Sequence, residues 1–166
     1  EVRSVLAETD PAITFLCSPN TPTGMVEPEQ LVRTVADEAP GLVVVDEAYG
    51  QFAPWSALEL VDGERPLVVT RTFSKTWSMA GARLGYLVGP TWLVAELDKV
   101  VLPYHLDTVK QIAGRIALAL LRPAPAALPP RHHRSWRFTF RRKATAPPTV
   151  ASGRPVVPVF LLDPET

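Results

Sequence analysis

Over the first 118 residues, apolar positions come as short unbroken runs separated by stretches with helical spacing. Ile13-Thr14-Phe15-Leu16-Cys17 is rich in β-formers and stops at Ser18-Pro19-Asn20-Thr21-Pro22-Thr23-Gly24, a dense turn cluster. Glu27 to Glu38 places Leu31, Val32 and Val35 on one helical face, with Pro28 near its first turn and Pro40-Gly41 closing it. Leu42-Val43-Val44-Val45 is a continuous apolar run, as a strand buried on both faces requires. Leu67-Val68-Val69-Thr70 is a second such run, and Leu84 to Val88 a third, set among glycines 81, 85 and 89. Helical patterns follow at Trp92–Val101 and Leu106–Leu121. Strands alternating with helices predict an α/β domain with a mostly parallel sheet flanked by helices.

From about residue 119 the pattern changes. Six Ala, six Pro and six Arg fill more than half of residues 119–148, and apolar periodicity is absent until Val156 to Leu162. Prolines at 123, 125, 129, 130, 147 and 148 forbid a long helix there. The zero net charge of the whole chain hides the same break. Residues 1–118 carry 9 basic and 15 acidic side chains, and residues 119–166 carry 8 and 2. The organisation expected is therefore a domain over 1–118 and an atypical low-complexity tail over 119–166.

Composition removes several function classes. No stretch approaches the ~18 consecutive apolar residues of a membrane-spanning helix. No basic segment with an apolar core opens the chain, so no secretion signal is read, and the cytoplasm is the expected compartment. The one cysteine, Cys17, excludes an internal disulfide framework and offers no zinc spacing; beside Phe15 and Leu16 it reads as a strand thiol. His132-His133 has no further ligands at metal spacing, so no metal site is expected. A start at Glu1 rather than Met reads as a piece of something longer.

Three polar clusters each follow a predicted strand, where open α/β sheets bind ligands. They are Ser18 to Gly24, Asp46-Glu47-Ala48-Tyr49, and Thr72-Phe73-Ser74-Lys75 with Arg83. In the third, two hydroxyls and a forked cation suit a phosphate, while Lys75 is either a further phosphate contact or a nucleophile toward a carbonyl. Asp46, at a buried strand end, needs a partner such as a protonated ring nitrogen. Phosphate, an aldehyde-reactive lysine and a carboxylate for a pyridinium together describe pyridoxal 5'-phosphate. Standing alone, Lys75 would be read as a solvated charge, Asp46 as a helix cap, Thr72 and Ser74 as turn hydroxyls, and Trp77 as packing. Glu47 is read as a structural or solvated acid.

SPNTPTG at 18–24, DEAY at 46–49 and TFSKTWSMAGARLGY at 72–86 resemble, in sequence and spacing, the fold-type I PLP-dependent aminotransferases of class I/II. Within them the histidinol-phosphate aminotransferases are the most similar. Leu102-Pro103-Tyr104-His105-Leu106 is a weaker marker of that branch, and the resemblance covers about residues 1–118. It implies the central part of the large domain of the PLP-dependent transferase fold. By position, Lys75 matches the lysine that bonds the cofactor and moves a proton. Asp46 matches the aspartate that keeps the pyridine nitrogen protonated. Tyr49 matches the tyrosine on the cofactor's phenolic oxygen, and Thr72, Ser74 and Arg83 match the ligands of its phosphate. The family also places an asparagine directly before Pro-Thr-Gly, on the phenolic oxygen. Here Thr21 holds that place, with Asn20 one position earlier.

The resemblance implies transamination of small amino and 2-oxo acids in a cytoplasmic homodimer, with the arginine for the substrate carboxylate outside this chain. The reaction expected is histidinol phosphate plus 2-oxoglutarate giving imidazole-acetol phosphate plus glutamate. An aromatic amino-acid aminotransferase of the same fold stays open. So does a catalytically dead fragment or a nucleic-acid-binding module using Arg131, Arg134, Arg137, Arg141, Arg142 and Lys143 with Trp136, Phe138 and Phe140. For residues ~119–155 a frameshift in GC-rich DNA is preferred to nucleic-acid binding. A large-domain piece without its neighbouring strands should leave a sheet edge and apolar faces open.

Overall fold

The computed structural model describes residues 1–102, 105–120 and 156–157. The elements in chain order are α1 (Val2–Thr9), β1 (Ile13–Cys17), α2 (Glu29–Glu38), β2 (Leu42–Asp46), β3 (Leu67–Thr72), β4 (Gly85–Val88), α3 (Thr91–Asp98), α4 (Thr108–Leu120) and β5 (Val156–Val157). Single 3-10 turns lie at Gly50–Phe52, Ala57–Leu60 and Ala80–Ala82. Pro103, Tyr104, the Pro/Ala/Arg-rich stretch, its basic aromatic run and His132-His133 lie outside the described residues.

The strands form one sheet in the order β1-β2-β3-β4-β5. β1, β2 and β3 are mutually parallel, whereas β4 runs antiparallel to β3 and β5 antiparallel to β4. The sheet is thus mixed, where the sequence pattern predicts a mostly parallel one. The cause is the link between β3 and β4. Residues 73–84 hold one 3-10 turn and no helix, so the chain reverses instead of crossing back over the sheet.

Side-chain alternation divides the sheet into two faces. Val43, Val45, Leu67, Val69, Tyr86 and Val88 point into the main core, beneath Val32, Val35 and Ala36 of α2 and against Leu60, Phe73 and Leu106. Val68 and Leu87 point the other way, onto Val94 of α3, with Leu42 and Val44 packed alongside. Fully burying one such Val, Leu or Phe side chain is worth about 1.5–3 kcal/mol, so the first face carries most of the apolar stabilisation. Beside β1 the second face is open: Phe15, paired with Val44, is 71% exposed and Ile13, paired with Leu42, is 50% exposed. That is the open apolar face expected of a large-domain piece.

The helix boundaries follow local chemistry. α2 starts at Glu29, two residues later than its apolar spacing suggests, with Pro28 at the N-cap position. The residue before a proline is pushed out of the helical region, and the Glu27 amide instead donates to Ser18 Oγ at 3.0 Å. Buried Val32, Val35 and Ala36 then recur at helical spacing, and the Arg33–Glu29 pair at 2.8 Å supports the exposed side. α3 ends at Asp98, short of Val101. α4 starts at Thr108 because the Asp107 carboxylate accepts from the Lys110 amide at 2.8 Å and caps it.

Candidate functional site

All three polar clusters meet at the carboxyl ends of β1, β2 and β3. The Ser18 amide donates to Asp46 O at 3.0 Å and the Glu47 amide to Thr70 O at 2.9 Å, so the three strand ends are laced together by backbone. Asp46 is the last residue of β2 and shares the face of Val44. It is exposed, and its Oδ1 accepts from the Ala48 amide at 2.9 Å, which starts the turn carrying Tyr49. Tyr49 is half-buried, and the Lys75 Nζ stands 5.3 Å from its ring centroid, within cation–π range. The amine, the phenol and the carboxylate are therefore collected from two chain segments by the parallel pairing of β2 with β3.

Lys75 is exposed on the loop 73–84, and that loop is rigidly built. Phe73 is fully buried, its ring 5.7 Å from Trp77 and 5.3 Å from Tyr86 between centroids. Buried Phe73 and Trp77 flank the exposed lysine two residues to either side. Thr72 Oγ1 accepts from the Ser74 amide at 3.1 Å and donates to Leu84 O at 3.5 Å, fixing the start of the loop to its end. The Ser78 amide donates to Lys75 O at 3.0 Å, and Thr76 Oγ1 donates to Gln51 Oε1 at 3.2 Å, joining the loop to the segment after Tyr49. Ser78 and Arg83 adopt left-handed backbone at φ 55° and 47°. Such non-glycine conformations cost of order 1–3 kcal/mol and persist only where packing imposes them, commonly at functional sites. Thr72 and Ser74 are half-buried and Arg83 is exposed, so one hydroxyl ends β3 and the other comes, with the guanidinium, from the loop that follows.

Asn20 and Thr21 are placed differently from the other candidates. Thr23 Oγ1 donates to Asn20 Oδ1 at 3.0 Å, and Asn20 exchanges backbone bonds with Gly24 and Met25, so its side chain closes its own turn. Thr21 is exposed. Among the described residues, neither is hydrogen-bonded to Asp46, Tyr49 or Lys75.

Behind this surface lies a polar cluster that sequence reasoning missed. Glu47, one residue after Asp46, points to the opposite face and is only 2% exposed. It accepts from the Ala57 amide at 2.6 Å, from Ser56 Oγ at 2.8 Å and from Arg71 Nε at 3.0 Å. Arg71 Nη2 also donates to Ser56 Oγ at 2.8 Å. Burial opposes the charge on Arg71, yet Glu47 and Tyr86 together outweigh it and the guanidinium is held more firmly protonated than usual. Burial pushes the Tyr86 phenol up, with Arg71 beside it pulling the other way. The signal available in sequence was Arg71 itself, a charged residue two positions after Val69 on the same buried face of an apolar strand.

Among the described residues no helix is long and apolar enough to cross a membrane, and no group of three His, Cys, Asp or Glu side chains could hold a metal ion. Amine, phenol, carboxylate, two hydroxyls and guanidinium are groups whose chemistry suits an anionic, carbonyl-bearing ligand with a basic ring.

A sequence profile of aminotransferase class I and II matches residues 4–143. A histidinol-phosphate aminotransferase of Mycobacterium avium is 47% identical over 118 residues, covering 69% of this chain and 29% of that protein. One of Rhodococcus opacus is 50% identical over 119 residues, covering 69% and 31%. The chain thus spans about a third of the length of the curated relatives it matches. Among solved structures, a histidinol-phosphate aminotransferase of Sinorhizobium meliloti in complex with pyridoxal-5'-phosphate superposes with a TM-score of 0.65 at 28% identity, covering 71% of this chain and 33% of that one. Profile, relatives and backbone agree: the chain belongs to the class I and II aminotransferase family.

Proposed function

We propose that this chain carries the cofactor-binding core of a PLP-dependent aminotransferase that exchanges an amino group between histidinol phosphate and 2-oxoglutarate. The observation that carries the reading is the Lys75 amine against the Tyr49 ring at 5.3 Å, beside the strand end that displays Asp46. The names of its relatives support the substrate pair.

The donor set fits the cofactor. Asp46 ends a strand with an exposed carboxylate that accepts an intramolecular bond only from Ala48 among the described residues, so it can accept from a protonated pyridine nitrogen. Tyr49 would donate to the phenolic oxygen, while Thr72, Ser74 and Arg83 would hold the phosphate by charge-assisted bonds. Asn20 and Thr21 would line the same end of the sheet, Thr21 replacing a longer side chain. When bound, pyridoxal 5'-phosphate supplies an electron sink that lets the bond from Cα to hydrogen break. Lys75 would hold the cofactor covalently at rest and, once displaced by the substrate amine, move the proton as general acid and base. The Tyr49 ring holds that exposed amine near the strand ends, and the bond from Thr76 to Gln51 ties its loop to the segment after Tyr49.

The reading includes a cytoplasmic homodimer, as the family resemblance implies, with the domain boundary near residue 118. Its test is a turnover assay of the full-length protein that contains this chain, with pyridoxal 5'-phosphate, histidinol phosphate and 2-oxoglutarate. Glutamate should form, and should be lost in Lys75→Ala. Glutamate formed from phenylalanine in place of histidinol phosphate would move the assignment to aromatic substrates, and none from either would overturn transamination.

A further inference from the structure

Asp46 and Glu47 are consecutive carboxylates on opposite faces of the sheet, and Arg71 and Thr72 are consecutive residues on opposite faces of the next strand. On the inner side, Glu47 of the β2 end, Arg71 of β3 and Ser56 of the intervening segment form a closed triangle of hydrogen bonds, with the Ala57 amide as a further donor. Arg71 is paired in register with Tyr86 of β4, which lies against it. Space around the triangle is tight. A Cβ on Gly50 would stand 2.7 Å from Glu47 Oε2 and 2.8 Å from Glu47 Cβ.

We infer that Glu47, Arg71 and Ser56 act as positioning residues for the cofactor site: their triangle fixes the separation of Asp46 from Thr72, and through it the loop that carries Lys75. The inference rests on the proposed cofactor reading and goes beyond it, since none of the three touches the ligand surface. Two physical arguments support it. A buried ion pair is poor stabilisation, because desolvation offsets much of its attraction, and apolar replacements of the same volume often fold as well. A geometric role accounts for a buried ion pair at this place where stability alone does not. The triangle also spans the two strand ends that supply the carboxylate and the hydroxyl, and each of its ionic members is the immediate neighbour of a ligand-facing residue.

The test separates positioning from support of the fold. Arg71→Met should unfold the chain in part, by orphaning the Glu47 carboxylate. Glu47→Gln with Arg71→Met removes that charge and should restore the thermal midpoint. If the triangle positions the site, the restored double variant still binds pyridoxal 5'-phosphate about tenfold more weakly, with a displaced visible absorbance band, since misplacement of about 1 Å is felt at that scale or beyond. Ser56→Ala, which keeps both charges, gives a second reading: cofactor affinity should fall about threefold with the same band displacement. Native affinity and an unmoved band in Ser56→Ala, or in a double variant that regains its midpoint, would overturn the inference alone. No cofactor signal from the unsubstituted chain would overturn the functional reading, and this one with it.

Discussion

The two faces of the sheet use the same chemical groups under opposite conditions. Outward, Asp46 and Thr72 end their strands in reach of solvent, where a carboxylate costs little and stays available. Inward, Glu47 and Arg71 are sealed among Val45, Val69 and Tyr86, where every polar atom needs a partner and the triangle with Ser56 supplies it. One step along the backbone separates them. The period of two in a β-strand thus lets DEAY and TRTFSK each deliver an outward polar group and a structural group from adjacent positions.

That contrast can be broken by substitution. The largest effect expected is from Arg71→Met, which leaves the Glu47 carboxylate buried and unpaired; breaking a buried pair on one side costs about 3–5 kcal/mol, and chemical denaturation would register it as loss of most of a small domain's stability. Next, the carboxylate-to-amide change can be made on either neighbour. Glu47→Gln should cost about 1–3 kcal/mol through weakened charged hydrogen bonds, whereas Asp46→Asn should lie within about 0.5 kcal/mol in the same melt yet weaken cofactor binding. Equal melting shifts for the two would erase the distinction between the faces.

Tyr86 gives a smaller effect with a defined sign. Its phenol is raised above the ordinary tyrosine value, first by burial, so the folded state holds its proton longer than the unfolded chain. The associated stability is fully present below about pH 10 and is lost as pH rises through the folded value. An alkaline absorbance titration should show one late-ionising phenol, absent in Tyr86→Phe. The smallest effect is expected at Asp107, a carboxylate outside both faces. The Lys110 amide holds it below the usual range, so its contribution is present above the unfolded value and fades as pH falls through the folded one. Asp107→Ala should lower helical circular dichroism slightly, without touching cofactor binding.

Much of the strand framework could be read directly, because Leu42–Val45 and Leu67–Thr70 are unbroken apolar runs with no competing period. The loop 73–84 was legible as chemistry but not as topology: its hydroxyls, lysine and arginine announce a ligand, while nothing local states that it reverses the chain. α1 went unread because Val2, Val5 and Leu6 form only a short stripe with one buried residue, Leu6. Glu47 could be narrowed to a structural or solvated acid, and burial decides for the former. Its partners could not be named, since Ser56 and Arg71 lie 9 and 24 positions away and only strand pairing brings them together. Asn20 is legible from its neighbours in sequence, whereas the bond its side chain accepts from Thr23 is not.

Under the proposed function, Lys75 is the residue this fold offers to the cofactor. The most direct measurement is to add pyridoxal 5'-phosphate to the purified chain, reduce with borohydride and map the labelled peptide. The account predicts one adduct, on Lys75, that disappears in Lys75→Ala and weakens in Asp46→Asn. Labelling spread over Lys99, Lys110 and Lys143, or no adduct at all, would contradict it.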